Sequence, residues 1–310
     1  MNVEKFVEER MEEIRKTVGK EKAVSALSGG VDSSACTLLA HRAIKNQLHC
    51  LFIDDGLMRA GESQEVKEIF GRLGISVEII NARDEFFKAL EGLTEPEEKR
   101  KAFREIFYKV FGREVLRSKA HYLIQGTIAA DIIETKGGVK TQHNILEQIG
   151  IDPEAGYGFK VLEPLKTLFK HQVREVARVL GLPESIYRRM PFPGPGLATR
   201  VIGEVTPGRI EKIRLATQIV EEEISPLNPF QAFAVLLSDQ GTGIEDGKRR
   251  FGDIIIVRSV ESKDAMTAFP TRVPWDILLR IAERLTTEVK DVVRVTYELT
   301  SKPPATIEYI

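Results

Sequence analysis

Short apolar runs alternate with amphipathic stretches between about residues 22 and 181 of the chain. The runs lack a strict alternation of polar and apolar residues, which is typical of parallel strands that are covered on both faces. Residues 32–45, 62–73 and 94–110 have helical spacing, and a further apolar stripe ends at Gly181 and Pro183. This rhythm predicts an α/β domain built on a parallel sheet. The predicted strands are residues 22–27, 49–54, 75–80, 121–126 and 159–165.

A second pattern follows the segment MPFPGPGLATR at residues 190–200, whose prolines and glycines exclude regular structure. Beyond it, helical spacing at residues 207–224 and 274–289 alternates with strand-like runs, which predicts a smaller α+β domain. We therefore expect one domain at residues 1–187 and another at residues 188–310. The strand-like runs are residues 232–237, 253–260, 292–299 and 306–310.

Composition narrows the class of protein. The 310 residues are 42% hydrophobic and 29% charged, as in ordinary globular proteins. The first 16 residues form a charged amphipathic pattern without an apolar export signal, and no run approaches the ~20 apolar residues of a spanning helix. The net charge of −1 argues against a general nucleic-acid-binding protein. We therefore expect a cytoplasmic protein that binds neither membranes nor nucleic acid.

The string SGGVDSS at residues 28–34 lies directly after the first predicted strand and opens a helix. Glycines at such a turn let backbone N–H groups converge, and the helix N-terminus adds about half a positive charge, so the turn can bind an oxyanion. No lysine precedes the final serine, unlike in a Walker A loop. Asp32 would repel a phosphate unless a divalent cation stood between them, which predicts Mg²⁺ bound by Asp32. The alternative is a tight turn with an N-capping aspartate and serine.

This string resembles the SGGxDS pyrophosphate-binding motif of the ATP pyrophosphatases. The resemblance implies an adenine-nucleotide α-hydrolase-like fold in which ATP is cleaved between its α and β phosphates. It also implies that the carboxyl ends of the second and fourth strands contact the rest of ATP, at Ile53 and Asp54 and at Gly126 and Thr127. The alternatives are a turn-forming role for Asp54 and a helix N-cap by Thr127. The implied ligands of the ATP phosphates are Ser28, Gly29, Gly30, Val31, Asp32, Ser33 and Ser34.

Four further strings resemble the GMP synthetase branch of that family: LEPL at 162–165, MPFPGPGL at 190–197, DAMTA at 264–268 and SKPPATIE at 301–308. This branch aminates xanthosine monophosphate (XMP) to GMP through an adenylyl-XMP intermediate and releases AMP and pyrophosphate. The resemblance further implies that the C-terminal domain mediates homodimerisation.

The resemblance implies roles for two groups of side chains, one that binds XMP and one that catalyses the reaction. Lys302 offers a cation and Thr306 a hydroxyl to a nucleotide phosphate, although the same string would also make a rigid turn. The loop at residues 134–157 is longer than usual connections and is expected to be a mobile lid carrying the catalytic Lys140 and His143. It departs from the family pattern because Gln142 stands where a histidine is expected. The implied XMP-binding residues are Lys302, Thr306, Ile307, Glu308 and Arg100.

The chain lacks a glutaminase motif. Its only cysteines, Cys36 and Cys50, lie on a predicted helix and in a predicted strand, and neither occupies a Gly-x-Cys-x-Gly elbow. We therefore expect ammonia to arrive free or from a separate glutamine amidotransferase subunit. The alternatives are another ATP pyrophosphatase, such as an NAD synthetase or a tRNA-thiolating enzyme, and a catalytically silent nucleotide-binding subunit.

Overall fold

The computed structural model describes residues 2–129, 132, 159–263 and 265–310. The chain forms two compact units, each built from several segments. The predicted lid, with Lys140 and His143, lies outside the described residues, and the domain limits expected from the sequence stay a prediction. The first unit comprises Met1–Asp54, Gly61–Ala82 and Glu105–Arg189, and the second comprises Asp55–Ala60, Arg83–Arg104 and Met190–Ile310.

A five-stranded parallel sheet forms the centre of the first unit, in the order β3-β2-β1-β4-β5. Ala23 of β1 lies opposite Leu48 of β2 on one side and Tyr122 of β4 on the other. The prediction of an α/β domain with a parallel sheet is confirmed. The strands are β1 (Ala23–Leu27), β2 (Leu48–Asp54), β3 (Val77–Asn81), β4 (Tyr122–Ile124) and β5 (Lys160–Leu162).

Helix α2 is the most buried of the helices that cover this sheet, because small and apolar residues occupy nearly every position from Val31 to Ile44. Helix α5 begins two residues after the predicted start at residue 94 and continues past residue 110. It continues because Phe111 and Val115 extend its buried stripe. The helices up to residue 187 are α1 (Val3–Val18), α2 (Val31–Ile44), α3 (Glu62–Arg72), α4 (Arg83–Leu90), α5 (Pro96–Ser118), α6 (Lys170–Val179) and α7 (Glu184–Tyr187), of which α4 and the N-terminal part of α5 belong to the second unit.

A long antiparallel hairpin dominates the second unit. Strands β6 (Gln231–Glu245) and β7 (Lys248–Glu261) run well beyond the predicted apolar segments. The short β8 (Phe269–Pro270) pairs antiparallel and β9 (Val292–Tyr297) pairs parallel with β7. Helices α8 (Pro207–Ile224) and α9 (Trp275–Glu288) complete the α+β arrangement. No helix in the described ranges is both long and apolar enough to cross a membrane.

The strand-like run predicted at residues 306–310 is wrong, because these residues form no strand. The carbonyl oxygens of Thr306 and Ile307 instead accept hydrogen bonds from the guanidinium of Arg258, at 2.8 and 2.9 Å. Arg258 is 1% exposed. A buried side chain therefore supplies the donors that a neighbouring strand would have given.

Candidate active site

The predicted ATP-binding segments meet at one edge of the parallel sheet. The motif at residues 28–34 follows β1, Ile53 and Asp54 end β2, and Gly126 and Thr127 follow β4. The chain order reverses between β1 and β4, because β2 and β3 lie on one side of β1 while β4 and β5 lie on the other. Ligands of open α/β sheets bind at the carboxyl ends of the strands beside such a switch point.

The turn after β1 leaves the N-terminus of α2 without a side-chain cap. Gly30 occupies the N-cap position and makes no side-chain hydrogen bond there, so the alternative of an N-capping aspartate does not describe this turn. Ser33 instead donates its hydroxyl to the Gly30 carbonyl at 3.1 Å and lies 2.9 Å from the Ser28 hydroxyl. The first amides of α2 are thereby left for a ligand anion.

Asp32 has one paired and one unpaired carboxylate oxygen. Its Oδ2 accepts from Lys170 Nζ at 2.5 Å, whereas its buried Oδ1 has no hydrogen-bond partner among the described residues. The described part of the chain holds no group of three or more acidic, histidine or cysteine side chains that would bind a metal by themselves. Asp32 therefore fits Mg²⁺ as a single protein ligand, because this ion is commonly bound by one or two carboxylates together with substrate phosphates.

Lys170 is a site residue that sequence reasoning missed. It is the first residue of α6 and lies 138 positions from Asp32 along the chain. A lysine in the first turn of a helix opposes the helix dipole, which favours anions at that end. This unfavourable placement was the available signal, and it indicates that Lys170 serves the site rather than the helix.

Gly126 allows the segment after β4 to lie directly against the motif. A Cβ atom built on Gly126 would lie 2.9 Å from the carbonyl carbon of Asp32 and 3.0 Å from the amide nitrogen of Ser33. Thr127 donates its hydroxyl to Glu163 at 2.7 Å. The close approach explains why glycine stands here, since any side chain would displace main-chain atoms of the phosphate-binding turn.

A buried ion pair supports the other side of the turn. Glu62 is 3% exposed and accepts from Arg189 at 2.7 Å, and Arg189 also pairs with Glu65. Gly29 has a φ of +75°, and a Cβ there would lie 2.5 Å from the carboxylate of Glu62. Sequence reasoning missed Glu62 and Arg189, because neither carries a local motif that points to the turn.

The two cysteines are not nucleophiles. Burial raises the pKa of Cys36 far above its usual range, with smaller contributions from the nearby Asp32 and Glu163 carboxylates. Burial also raises the pKa of Cys50 to about 12. Because the thiolate is the reactive form, both side chains act as small core residues.

The implied XMP-binding residues of the C-terminal segment lie in the second unit. Lys302 donates to the carbonyl of Ala265 at 2.8 Å, and the Thr306 hydroxyl donates to the carbonyl of Glu308. The side chain of Ile307 packs in a cluster with Val260 and Ala268. The carboxylate of Glu308 accepts from Arg200 and Gln231. The remaining residue of the set, Arg100, lies on α5 and pairs with Glu97.

Lys99, the neighbour of Arg100, is a structural cation. It is 3% exposed, and its ammonium donates to the carbonyls of Val201 and Gly203 at 2.7 and 3.0 Å. Burial lowers the pKa of Lys99 to about 8, with a further contribution from the nearby Arg209. The ammonium of Lys99 therefore stabilises the chain that follows the proline-rich segment.

We expect the stability contribution of Lys99 to rise with pH. The native pKa of about 8 lies below the ~10.4 of an unfolded lysine, so the unfolded chain binds more protons between these values. The free energy of unfolding of the wild type, relative to Lys99→Met, should increase by on the order of 3 kcal/mol across this window. Denaturant titrations between pH 7.5 and 10.5 measure it.

The exposed Lys101 on the same helix gives the matched control. Lys101→Met should follow the wild type at every pH. Parallel stability curves for the wild type and Lys99→Met would contradict the assignment of Lys99 as a buried, destabilised cation.

Comparison with known proteins identifies relatives along the full chain. The family model described as NAD synthase matches residues 2–194, and that described as GMP synthase C-terminal domain matches residues 218–309. The chain is 54% identical to a subunit of the glutamine-hydrolyzing GMP synthase of Archaeoglobus fulgidus over 310 residues, covering 100% of both chains. It is 52% identical to the corresponding subunit from Pyrococcus abyssi, again over 100% of both.

Among solved structures, the chain is similar to an NMN synthetase from Francisella tularensis. The identity is 19%, the TM-score is 0.49, and the match covers 63% of this chain and 78% of the other.

Proposed function

Because the chain belongs to the family of synthetase subunits of glutamine-hydrolyzing GMP synthase, a family of ligases, we propose that it catalyses the ATP-dependent amination of XMP to GMP. The match of residues 218–309 to the GMP synthase C-terminal domain supports this choice over an NAD synthetase, which the N-terminal match alone would allow. The observation that carries the proposal is the phosphate-binding turn at the switch point of a sheet, joined in one chain to that C-terminal domain.

The proposed reaction has two steps. In the first, the C2 oxygen of XMP attacks the α-phosphorus of ATP, the bond to the β-phosphate breaks, and pyrophosphate leaves. In the second, ammonia adds at C2, the bond from C2 to the adenylyl oxygen breaks, and AMP leaves with that oxygen to give GMP. The ring N–H proton of xanthine lost in the first step and the ammonia proton lost in the second both pass to solvent, so atoms and charge balance.

The residues around the turn are suited to hold the leaving group. The amides at the start of α2 offer donors to the β and γ phosphates, while the hydroxyls of Ser28 and Ser33 hydrogen-bond each other and the Gly30 carbonyl and so hold the shape of the turn. Lys170 adds a cation beside Asp32. When bound, Mg²⁺ would neutralise phosphate charge, and Asp32 is the residue that would hold it. Catalysis by these groups rests on positioning and charge stabilisation, as in other phosphoryl transfers.

The source of ammonia tests the proposal. The two buried thiols cannot act as a glutaminase nucleophile, so a separate glutamine amidotransferase subunit is expected to supply ammonia. With XMP, ATP and Mg²⁺, the purified chain should form GMP, AMP and pyrophosphate when ammonium is added, and should form none with glutamine alone. Chromatography measures the two nucleotide products, and a coupled assay measures pyrophosphate.

Two outcomes of this assay would contradict the proposal. Glutamine-supported GMP formation by the isolated chain would show that no partner is needed. AMP formation that does not depend on XMP would show a different acceptor for the adenylyl group. Homodimerisation through the second unit and a cytoplasmic location remain expectations from the family resemblance and from the sequence.

A further inference from the structure

Arg200 is a fully buried arginine at the end of the proline-rich segment. It closes the 3₁₀ turn Gly196–Arg200 and is 0% exposed. Its guanidinium lies over the ring of Phe192 at 4.8 Å and over the ring of Phe233 at 4.3 Å. Two aromatic faces hold one cation in place, and each such contact is favourable once water is excluded. The plane of Arg200 is thereby fixed before any substrate binds.

The fixed guanidinium is bonded to Glu308, one of the residues implied to bind XMP. Arg200 Nε donates to Oε2 at 3.2 Å, and Nη2 donates to Oε1 at 3.1 Å, which is the bidentate geometry that orients a carboxylate most strongly. Gln231 donates to Oε1 as well. A carboxylate has about four acceptor positions, so these bonds occupy three of them and leave one. The side chain of Glu308 is 21% exposed, so a ligand can reach it.

The arrangement is poorly explained by stability alone. Nη1 of Arg200 is buried and has no hydrogen-bond partner among the described residues. A buried ion pair with an unpaired donor is often no more stable than apolar side chains of similar volume. Arg258 also has a buried Nη1 without a hydrogen-bond partner among the described residues. It differs from Arg200 in its acceptors, because it donates to the main-chain carbonyls of Thr300, Thr306 and Ile307 and so holds the fold of the segment itself. Arg200 instead donates to the carboxylate of one side chain, that of Glu308.

We propose that Arg200 is a positioning residue for XMP, which fixes the carboxylate of Glu308 so that its free acceptor position meets a hydrogen-bond donor of the nucleotide. This inference rests on the proposed function. Arg200 does not itself touch the substrate in this arrangement. It acts through Glu308, and the stacked rings of Phe192 and Phe233 hold it in place.

A double-mutant cycle tests the inference. We expect Arg200→Lys, which keeps the charge but loses the planar fork, to raise the KM for XMP about tenfold while the KM for ATP stays within about twofold. Glu308→Gln should have a similar effect. Once Glu308 is glutamine, Arg200→Lys should raise the KM by less than about threefold further, because residues acting through one contact are not additive. Arg280→Gln, at an exposed arginine of α9 paired with Glu223 and Asp276, is the control and should match the wild type.

Arg200→Met provides a second variant, with an expected effect on the KM for XMP at least as large as that of Arg200→Lys. Thermal unfolding separates a local effect from loss of the fold, since the midpoint of Arg200→Lys should stay within a few degrees of the wild type. Additive effects in the cycle, a parallel rise in the KM for ATP, or an unchanged KM for XMP would each overturn the inference.

Equilibrium dialysis with XMP keeps this test separate from that of the proposed function. A wild-type chain that binds XMP but forms no GMP would overturn the proposed function. A wild-type chain that forms GMP, with Arg200→Lys binding XMP equally well, would overturn the role of Arg200 alone.

Discussion

Replacement of Asp32 by asparagine is expected to lower kcat by about 100-fold or more, a typical cost of removing one group that stabilises charge in a transition state. The substitution keeps the shape of the side chain but removes the charge that pairs with Lys170 and that would hold Mg²⁺ through the free Oδ1. Steady-state assays with XMP, ATP and ammonium measure kcat. The Mg²⁺ concentration for half-maximal rate should rise in the variant, because one ligand of the ion is weakened.

The second unit contains a matched control for this substitution. Asp253 also pairs with a lysine, Lys212, and both side chains are partly buried. Asp253→Asn therefore removes an Asp–Lys pair that is not part of the phosphate-binding motif, and it should leave kcat within about twofold because partly exposed pairs contribute little. If Asp32→Asn turned over within about twofold of the wild type, the assignment of a metal-binding carboxylate would be wrong.

Replacement of Gly126 by alanine should also cost at least about 100-fold in kcat/KM for ATP, because positioning errors of about 1 Å have effects of this size. The new Cβ would lie 2.9 Å from the carbonyl carbon of Asp32 and 3.0 Å from the amide of Ser33. These are main-chain atoms, so the turn itself must move. The KM for XMP should change much less, which separates a local shift of the turn from general loss of the fold.

Gly71→Ala is the control for the Gly126 substitution. Gly71 lies within α3 and a Cβ there meets no atom within 4 Å. Alanine is favoured over glycine inside a helix, so this variant should be at least as stable as the wild type and equally active. Normal ATP kinetics in Gly126→Ala would show that the segment after β4 does not constrain the phosphate-binding turn.

The sequence alone is sufficient to predict the features that depend on residues close together in the chain. The strand, the glycine turn and the helix of residues 23–44 are adjacent in the chain, so their pattern is sufficient to predict the turn and its position on the sheet. The parallel sheet follows from the same local rhythm. The family resemblance supplied the subfamily, and the relatives along the full chain confirm it.

The side chains that complete the sites come from distant parts of the chain, so the local sequence does not predict them. Lys170 meets Asp32, and Arg200 meets Glu308, across more than 100 intervening residues in each case. Arginine and lysine are most often solvated at surfaces, so the residues around positions 170 and 200 do not show which carboxylate each side chain meets. Only the fold brings these charges together.

The hairpin of the second unit shows that apolar runs alone underestimate the length of strands. Apolar runs predicted only the inner halves of β6 and β7, because the outer halves are polar and exposed. The turn between them, Asp246 and Gly247 with φ of 49° and 75°, carries the Asp-Gly pair preferred by two-residue hairpins. That pair was a usable signal for the longer strands.

The buried cysteines also have a practical consequence. Neither Cys36 nor Cys50 presents an accessible thiolate near neutral pH, and the chain contains no other cysteine. A single cysteine introduced on the surface would therefore be the fastest-reacting thiol toward maleimides. One fluorophore or spin label can therefore be attached at a chosen position of the wild-type sequence without first replacing the native cysteines.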